Sequence, residues 1–369
     1  MKIVDVRWHS YGLPLINSFS TAHGVMTTRE GIIVLVTTGC GITGIGEIAP
    51  LPAFGGGSFV DAAMLLPGLA ARLYHKTLHE ALELLLPEGQ IDTKAASALC
   101  GLEIALLDAI GKVEGCQVCA ILSPPGSVPR AAVAVNAVIG AKSTEAAIAA
   151  ARDAMSNGFH CIKLKVGYGV SIREEIERIA AVRDVIGPAT HLRLDANEAW
   201  TLEEAIAVLS QCVPYDIQYV EQPLQARDLA EMRALRQAIP IPLAVDEALL
   251  DPASAALVLD SEAADVLVIK PQLAGGLRAG QQIIKIATER GARCVITSTL
   301  EAGVGLAAAL HLAAASPAVT LECGLATLSL LGDDLLIDDL AVRDGFLAVP
   351  MGAGLGVALD WDALQKYAL

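Results

Sequence analysis

The strongest constraint on this chain is a recurrence in its second half. Short apolar runs appear at 132–138 (AVAVNAV), 161–166 (CIKLKV), 191–195 (HLRLD) and 217–221 (IQYVE). Four more follow at 242–246 (PLAVD), 265–270 (DVLVIK), 293–298 (RCVITS) and 319–323 (VTLEC). Between neighbours lie alanine-rich segments with helical spacing, such as STEAAIAAARDAMSNG and LEEAIAVLSQC. Eight strands alternating with seven helices, one unit every 25–30 residues or so, predict an α/β fold of the (β/α)7β TIM type. A doubly wound open sheet competes, but it would want a Gly-rich dinucleotide turn that the sequence lacks. A hydrophobic content of 54% against 18% charged residues suits strands buried on both faces.

Ahead of the repeats the pattern changes. Residues 3–11, 31–38 and 42–48 read as strands, the last two joined by Gly39-Cys40-Gly41. Asn17–Glu30 has neither period and reads as an irregular loop of functional length. The Pro50–Ser58 loop, with Gly55-Gly56-Gly57, suggests mobility, since no Lys-Ser/Thr follows for phosphate binding. Helical patterns fill 60–114, and Pro124-Pro125-Gly126 marks a boundary. The expected division is an α+β domain over 1–125, the barrel over 126–334, and a tail over 335–369 returning to the first sheet.

The net charge of −15 argues against nucleic acid or an anionic membrane as partner. An anionic small molecule would need cations gathered locally. The eight cysteines are scattered; Cys116-x-x-Cys119 has no second pair or neighbouring His to complete a zinc site and reads as packing. No secretory leader or membrane-spanning run is evident, so a soluble cytoplasmic protein is expected. A homo-oligomer is compatible with the sequence, which does not fix the oligomeric state.

Chemistry enters at the strand ends. Lys163 and Lys165 lie two apart, so on a strand they share a face while Ile162, Leu164 and Val166 take the other. Alone, the pair also fits a solvated edge strand; held close and partly desolvated, one lysine would lose its proton more readily and serve as a base. The next strands end in Asp195, Glu221, Asp246 and Lys270, spaced 30, 26, 25 and 24 residues from Lys165 onward, one unit each. Catalytic residues of such barrels come from the C-terminal strand ends. Three converging carboxylates without His or Cys call for a hard divalent cation, Mg²⁺ with Mn²⁺ as substitute. Flanked by lysines, such a site suits removal of a proton α to a carboxylate. By strand parity Asp246 faces inward as ligand and Glu247 supports it.

K-x-K at 163–165, D-A-N at 195–197, E-Q-P at 221–223, D-E at 246–247 and K-P at 270–271 together resemble the enolase superfamily, muconate-lactonizing-enzyme subgroup. The resemblance extends over nearly the whole chain and implies that the N-terminal domain and the C-terminal tail cap the barrel. It implies Asp195, Glu221 and Asp246 as metal ligands, with Asn197 beside them. It makes Lys165 and Lys270 acid/base groups on opposite faces, with Lys163 supporting Lys165. Thr297–Gly305 is similar to the S-S-x-E-S-G-x-G segment of o-succinylbenzoate synthases, implying substrate contacts at Ser298, Thr299 and Glu301. Ser20–Gly24 and Arg29–Ile32 resemble the same family's lid, implying His23 and Arg29 near substrate, Arg29 equally as a structural residue. The expected activity is syn dehydration of 2-succinyl-6-hydroxy-2,4-cyclohexadiene-1-carboxylate to 2-succinylbenzoate, a step of menaquinone or phylloquinone biosynthesis. The alternative within the superfamily is an N-acylamino acid racemase or dipeptide epimerase. The D-x-D with which dipeptide epimerases hold a substrate ammonium is missing from the eighth strand end, Glu322–Thr327.

Overall fold

The structure is a computed structural model that describes residues 1–369 except 22–23, 87–89 and 169–170. Its N-terminal part is an antiparallel sheet of β1 (Ile3–Thr21), β2 (Gly24–Thr38) and β3 (Thr43–Ile48). The expected irregular loop over 17–30 is instead a continuation of β1 and β2, paired as far as Thr21 and Gly24. Backbone ladder bonds hold such a ribbon where apolar burial does not. Ile16, Asn17, Thr27 and Thr28 are exposed and Arg29 is buried, so these side chains carry no apolar alternation.

The helices α1 (Phe59–Leu73), α2 (Leu78–Leu84), α3 (Thr93–Glu114) and α4 (Val118–Leu122) follow. Ser58 and Thr77 start the first two with capping boxes to Asp61 and Glu80. α3 lies directly on β3: a Cβ at Gly44 or Gly46 would stand 2.0 Å from the carbonyl of Ala105 or Gly101. Cys116 and Cys119 are free thiols whose pKa burial pushes up, in keeping with packing.

The run at 132–138 divides. β4 (Ala132–Ala134) turns outward, and β5 (Ala137–Ile139) begins the barrel. The parallel sheet continues through β6 (Cys161–Lys165), β7 (His191–Asp195), β8 (Ile217–Glu221), β9 (Leu243–Val245), β10 (Val266–Ile269) and β11 (Arg293–Ile296), in that spatial order. Its helices are α5 (Thr144–Ser156), α6 (Ile172–Ile186), α7 (Leu202–Cys212), α8 (Leu229–Ala238), α9 (Pro252–Asp260), α10 (Pro271–Ala274), α11 (Leu277–Glu289) and α12 (Gly303–Ala315). Closure is incomplete. The expected eighth strand, 319–323, joins its neighbours only by single parallel bridges, Val135 to Cys323 and Thr297 to Gly324. The fold is thus the α/β (β/α)7β barrel with capping elements at both ends of the chain.

The C-terminal tail divides its contacts. β12 (Val342–Arg343) and β13 (Phe346–Ala348) form a small sheet with β4. After α13 (Trp361–Lys366), the last residues reach β1, where Gly12 N donates to Tyr367 O at 2.9 Å and Leu369 N to Ser10 O at 3.2 Å. A cavity of about 630 Å³ lies between α5, the start of α12 and residues 325–342, away from the lysines of the barrel mouth.

Candidate active site

The barrel register places the charged strand ends in one row. Lys165 pairs with Asp195 across β6 and β7, and Asp195 with Glu221 across β7 and β8. Asp246 and Lys270 follow the last residues of β9 and β10. All are buried except Lys165, which is partly exposed; Ile162, Leu164 and Val166 are buried on the opposite face. Three strands separate Lys165 from Lys270 in the sheet order.

The ammonium groups and carboxylates are interleaved. Lys163 Nζ lies 3.0 Å from Asp195 Oδ2 and 2.8 Å from Glu221 Oε1. Lys165 Nζ lies 2.7 Å from the same Asp195 oxygen and also donates to Asn197 Oδ1. Asn197 in turn donates to Glu247 Oε1 at 2.9 Å, so Glu247 joins the cluster through an amide. Lys270 Nζ contacts both oxygens of Asp246 at 2.6 Å.

These contacts set the proton affinities. Burial raises Glu221 to about 8, reinforced by Asp195, while Lys163 opposes it. Asp195 is equally buried, yet Lys163 and Lys165 outweigh burial and hold it well below the usual carboxylate range. Burial and Asp246 raise Glu247 to about 7. The lowering expected from two neighbouring lysines does not occur at Lys163. Burial works toward loss of its proton, but Asp195 and Glu221 overcome it and raise its pKa well above normal.

The fit to a metal has two sides. Among the described residues, no three His, Cys, Asp or Glu side chains converge closely enough to hold an ion as they stand. The contacts give the reason: Asp195 and Glu221 are drawn onto Lys163, and Asp246 onto Lys270. The donor set itself suits a hard dication. It is all oxygen, Lys163 shows a cation bridging two of its members, and Glu221 Oε2 is buried without a hydrogen-bond partner.

Around this row, the cap and the β11–α12 loop supply the walls. Phe54, in the 50–58 segment expected to be mobile, forms a short 3₁₀ turn with Pro52 and Ala53, its ring 3.9 Å below the Lys270 ammonium. Ser298 is bonded to Thr327 Oγ1 at 2.7 Å. Thr299 and Glu301 are tied to each other, the hydroxyl donating to Glu301 Oε2 at 2.8 Å, with both side chains about 1% exposed. Arg29 is 2% exposed, and its guanidinium donates to the carbonyls of Glu30, Ala49, Pro50 and Leu300. Those are the contacts of a clamp, and they leave little of its fork for a substrate. His23 lies outside the described residues. Non-glycine residues in left-handed backbone cluster here, with φ of +42° at Asn197, +36° at Gln222 and +62° at Leu300, as is common where a site is held rigid.

Several members escaped the sequence reading. Arg193 shares parity with Asp195 and is fully buried beneath it, bonded to Glu322 Oε2 at 2.8 Å and Asn136 Oδ1 at 3.2 Å and stacked 4.7 Å over Tyr219. The alternation H-L-R-L-D carried that signal. Phe54 and Gln272 are brought in by tertiary packing, for which no local pattern exists, whereas Glu47 lies in Gly46–Pro50, a stretch that itself resembles the o-succinylbenzoate synthases.

Comparison with known proteins bears on this geometry. Residues 2–123 match the N-terminal domain of the mandelate racemase / muconate lactonizing enzymes, and residues 146–363 match the enolase C-terminal domain-like family. The chain belongs to the enolase superfamily, mandelate racemase / muconate lactonizing enzyme subgroup. An L-Ala-D/L-Glu epimerase of Bacillus subtilis is 30% identical over 97% of both chains. Muconate cycloisomerase 1 of Rhodococcus opacus is 28% identical over 100% of this chain and 98% of its own. An o-succinylbenzoate synthase of Thermobifida fusca is 39% identical, over 63% of this chain and 71% of its own. Among solved structures, an N-succinyl Arg/Lys racemase of Bacillus cereus superposes with a TM-score of 0.90 at 25% identity, covering 100% of this chain and 98% of the other. Subgroup membership implies divalent-metal catalysis at the barrel mouth, where the buried acids and lysines of this chain stand.

Proposed function

We propose that the protein transfers the proton α to a carboxylate between two bases, racemising or epimerising a small substrate whose amine is acylated or absent. The observation that carries this reading is the placement of two lysines at opposite ends of one carboxylate row, Lys165 on Asp195 and Lys270 on Asp246. A transfer that inverts a carbon needs one acid/base group on each of its faces. Similarity to an epimerase over 97% of both chains supports the same reading.

Lys165, starting neutral, would take the Cα proton, and the C–H electron pair would move into the adjacent carboxylate as an enediolate. Lys270, starting protonated, would return a proton to the opposite face; the reverse reaction exchanges the roles. Lys163, between Asp195 and Glu221, would keep positive charge beside the developing anion. Asp195, Glu221 and Asp246 would hold Mg²⁺, or Mn²⁺ in its place, with Asn197 and Glu247 supporting them. When bound, that ion supplies electrostatic stabilisation of the charge gathering on the substrate carboxylate. Ser298 and Thr299 would meet the remote end of the substrate. Glu322, the acid at the eighth strand end, is already paired with Arg193 and His191, so a substrate ammonium gains no free carboxylate from it. This favours an N-acylamino acid over a dipeptide with a free amine.

Dehydration to 2-succinylbenzoate is the second reading, favoured by the 39% identity to the Thermobifida enzyme. In that reaction Lys165 would both remove the proton and, once protonated, assist departure of the hydroxyl as water. Incubation with Mg²⁺ in D₂O and a panel of N-succinyl and N-acetyl amino acids should give deuterium at Cα with interconversion of enantiomers. Loss of the cyclohexadiene ultraviolet absorbance without such exchange would select the second reading. Activity in neither assay would overturn both.

A further inference from the structure

Glu47 takes no part in the proton transfer, yet its carboxylate is among the most heavily bonded in the protein. It projects from β3 and is fully buried. Oε1 accepts from Tyr11 Oη at 2.5 Å and from Ala302 N at 2.7 Å, and Oε2 accepts from Gly305 N at 2.7 Å. Ala302 is the N-cap of α12, so a cap-domain carboxylate occupies the N-terminus of a barrel helix, where free N–H groups and the helix dipole favour an anion. Gly305 gives it room, since a Cβ there would stand 3.3 Å from Glu47 Oε2 and 2.7 Å from Glu301 Cγ.

The same stretch of cap grips the loop before α12 at further points. Arg29 Nε donates to Leu300 O at 3.1 Å, and Thr299 Oγ1, whose proton goes to Glu301, lies 3.4 Å from Ala49 O. Gln272, just past Lys270, donates to Glu47 O at 2.8 Å and accepts from Ala49 N at 3.1 Å. Leu300 is thereby held in left-handed backbone that a leucine adopts only under constraint.

We propose that Glu47 is a positioning residue for substrate affinity: through Ala302 N and Gly305 N it fixes the seat of the Ser298–Ala302 loop, and so the stance of the hydroxyls that meet the substrate's remote end. The role of that loop rests on the function proposed above. A neutral amide cannot replace the carboxylate, because its NH₂ would face a backbone N–H with no acceptor between them.

The test compares the full-length protein with Glu47→Gln and the milder Tyr11→Phe, which removes one donor and leaves the carboxylate. Amide hydrogen exchange should quicken across residues 298–305 in Glu47→Gln, with β6–β8 as protected as in the parent. KM for whichever substrate class turns over should rise about tenfold while kcat stays within about threefold, the signature of lost binding rather than lost chemistry. Tyr11→Phe should shift both readouts the same way by less. Unchanged exchange at 298–305 in both variants overturns the inference. So does faster exchange everywhere with kcat and thermal stability falling together, which marks a merely structural residue. If the parent turns over no substrate offered, the proposed function fails, while the exchange map still decides the role of Glu47.

Discussion

Lys163 and Lys165 stand two positions apart on one strand and differ in what they touch. Lys163 is nearly enclosed between Asp195 and Glu221, whereas Lys165 meets Asp195 and Asn197 and remains partly open to the mouth. Lys165→Ala should therefore lower turnover by about 10²–10⁴-fold, the span of a general acid/base, with the melting temperature little changed. Single-turnover kinetics with a substrate identified by deuterium exchange checks it, and retained turnover would remove Lys165 from its role. Glu47 yields a pH prediction. Burial raises its pKa from 4.5 to about 7, with the Tyr11 hydroxyl and the α12 amides opposing. The folded protein thus holds this proton where the unfolded chain has released it, which adds stability below about pH 4.5 and loses it as pH rises toward 7, about 3 kcal/mol in all. Denaturant titrations from pH 4.5 to 7 should show a flatter profile for Glu47→Gln than for the parent. At this scale the row of strand-end charges was legible because alternation and unit spacing are both linear. Arg193 carried the same parity signal, while Phe54 and Glu47 owe their places to packing between distant segments.

The β strands and their helices were legible as units, for a periodic run of apolar residues has few ways to be buried. Two segments departed from expectation for opposite reasons. The ribbon over 17–30 is strand in which Asn17, Thr27 and Thr28 are exposed and Arg29 is buried, so backbone pairing rather than apolar alternation marks it. The segment 319–323 is apolar enough for a strand, yet it makes only single bridges to its neighbours, because β4 and β5 divide what read as one first strand. Arginines add to its fastening: Arg193 donates to Glu322 O at 2.7 Å and to the Glu322 carboxylate, and Arg130 donates to Val319 O at 2.7 Å. Arg193→Met should cost about 3 kcal/mol, since it strands a partly buried carboxylate. The double variant with Glu322→Gln should recover part of that loss. Chemical denaturation of the four proteins of the cycle measures both, and additivity would show that the pair is not coupled.

For the molecule as a whole, the proposed Mg²⁺ would take carboxylate oxygens that Lys163, Lys165 and Lys270 contact. An ion that binds the folded state alone raises stability in proportion to the logarithm of its concentration, about 2.7 kcal/mol at a hundred times its Kd. Thermal melts should therefore rise with added MgCl₂ and return on EDTA treatment, and Asp195→Asn should abolish the increment. A melt indifferent to Mg²⁺ in the parent would count against the metal site. The cap and barrel were legible as two kinds of text, but their stitching through Arg29, Glu47 and Gln272 was not, because each bond joins residues far apart in the chain. The pairing of Leu369 with Ser10, and of Tyr367 with Gly12, ties this stretch of β1 to residues far downstream in the sequence. Contacts that close so long a loop form late in folding. Until they do, the Ser10–Gly12 edge is a strand edge open to pairing with another chain.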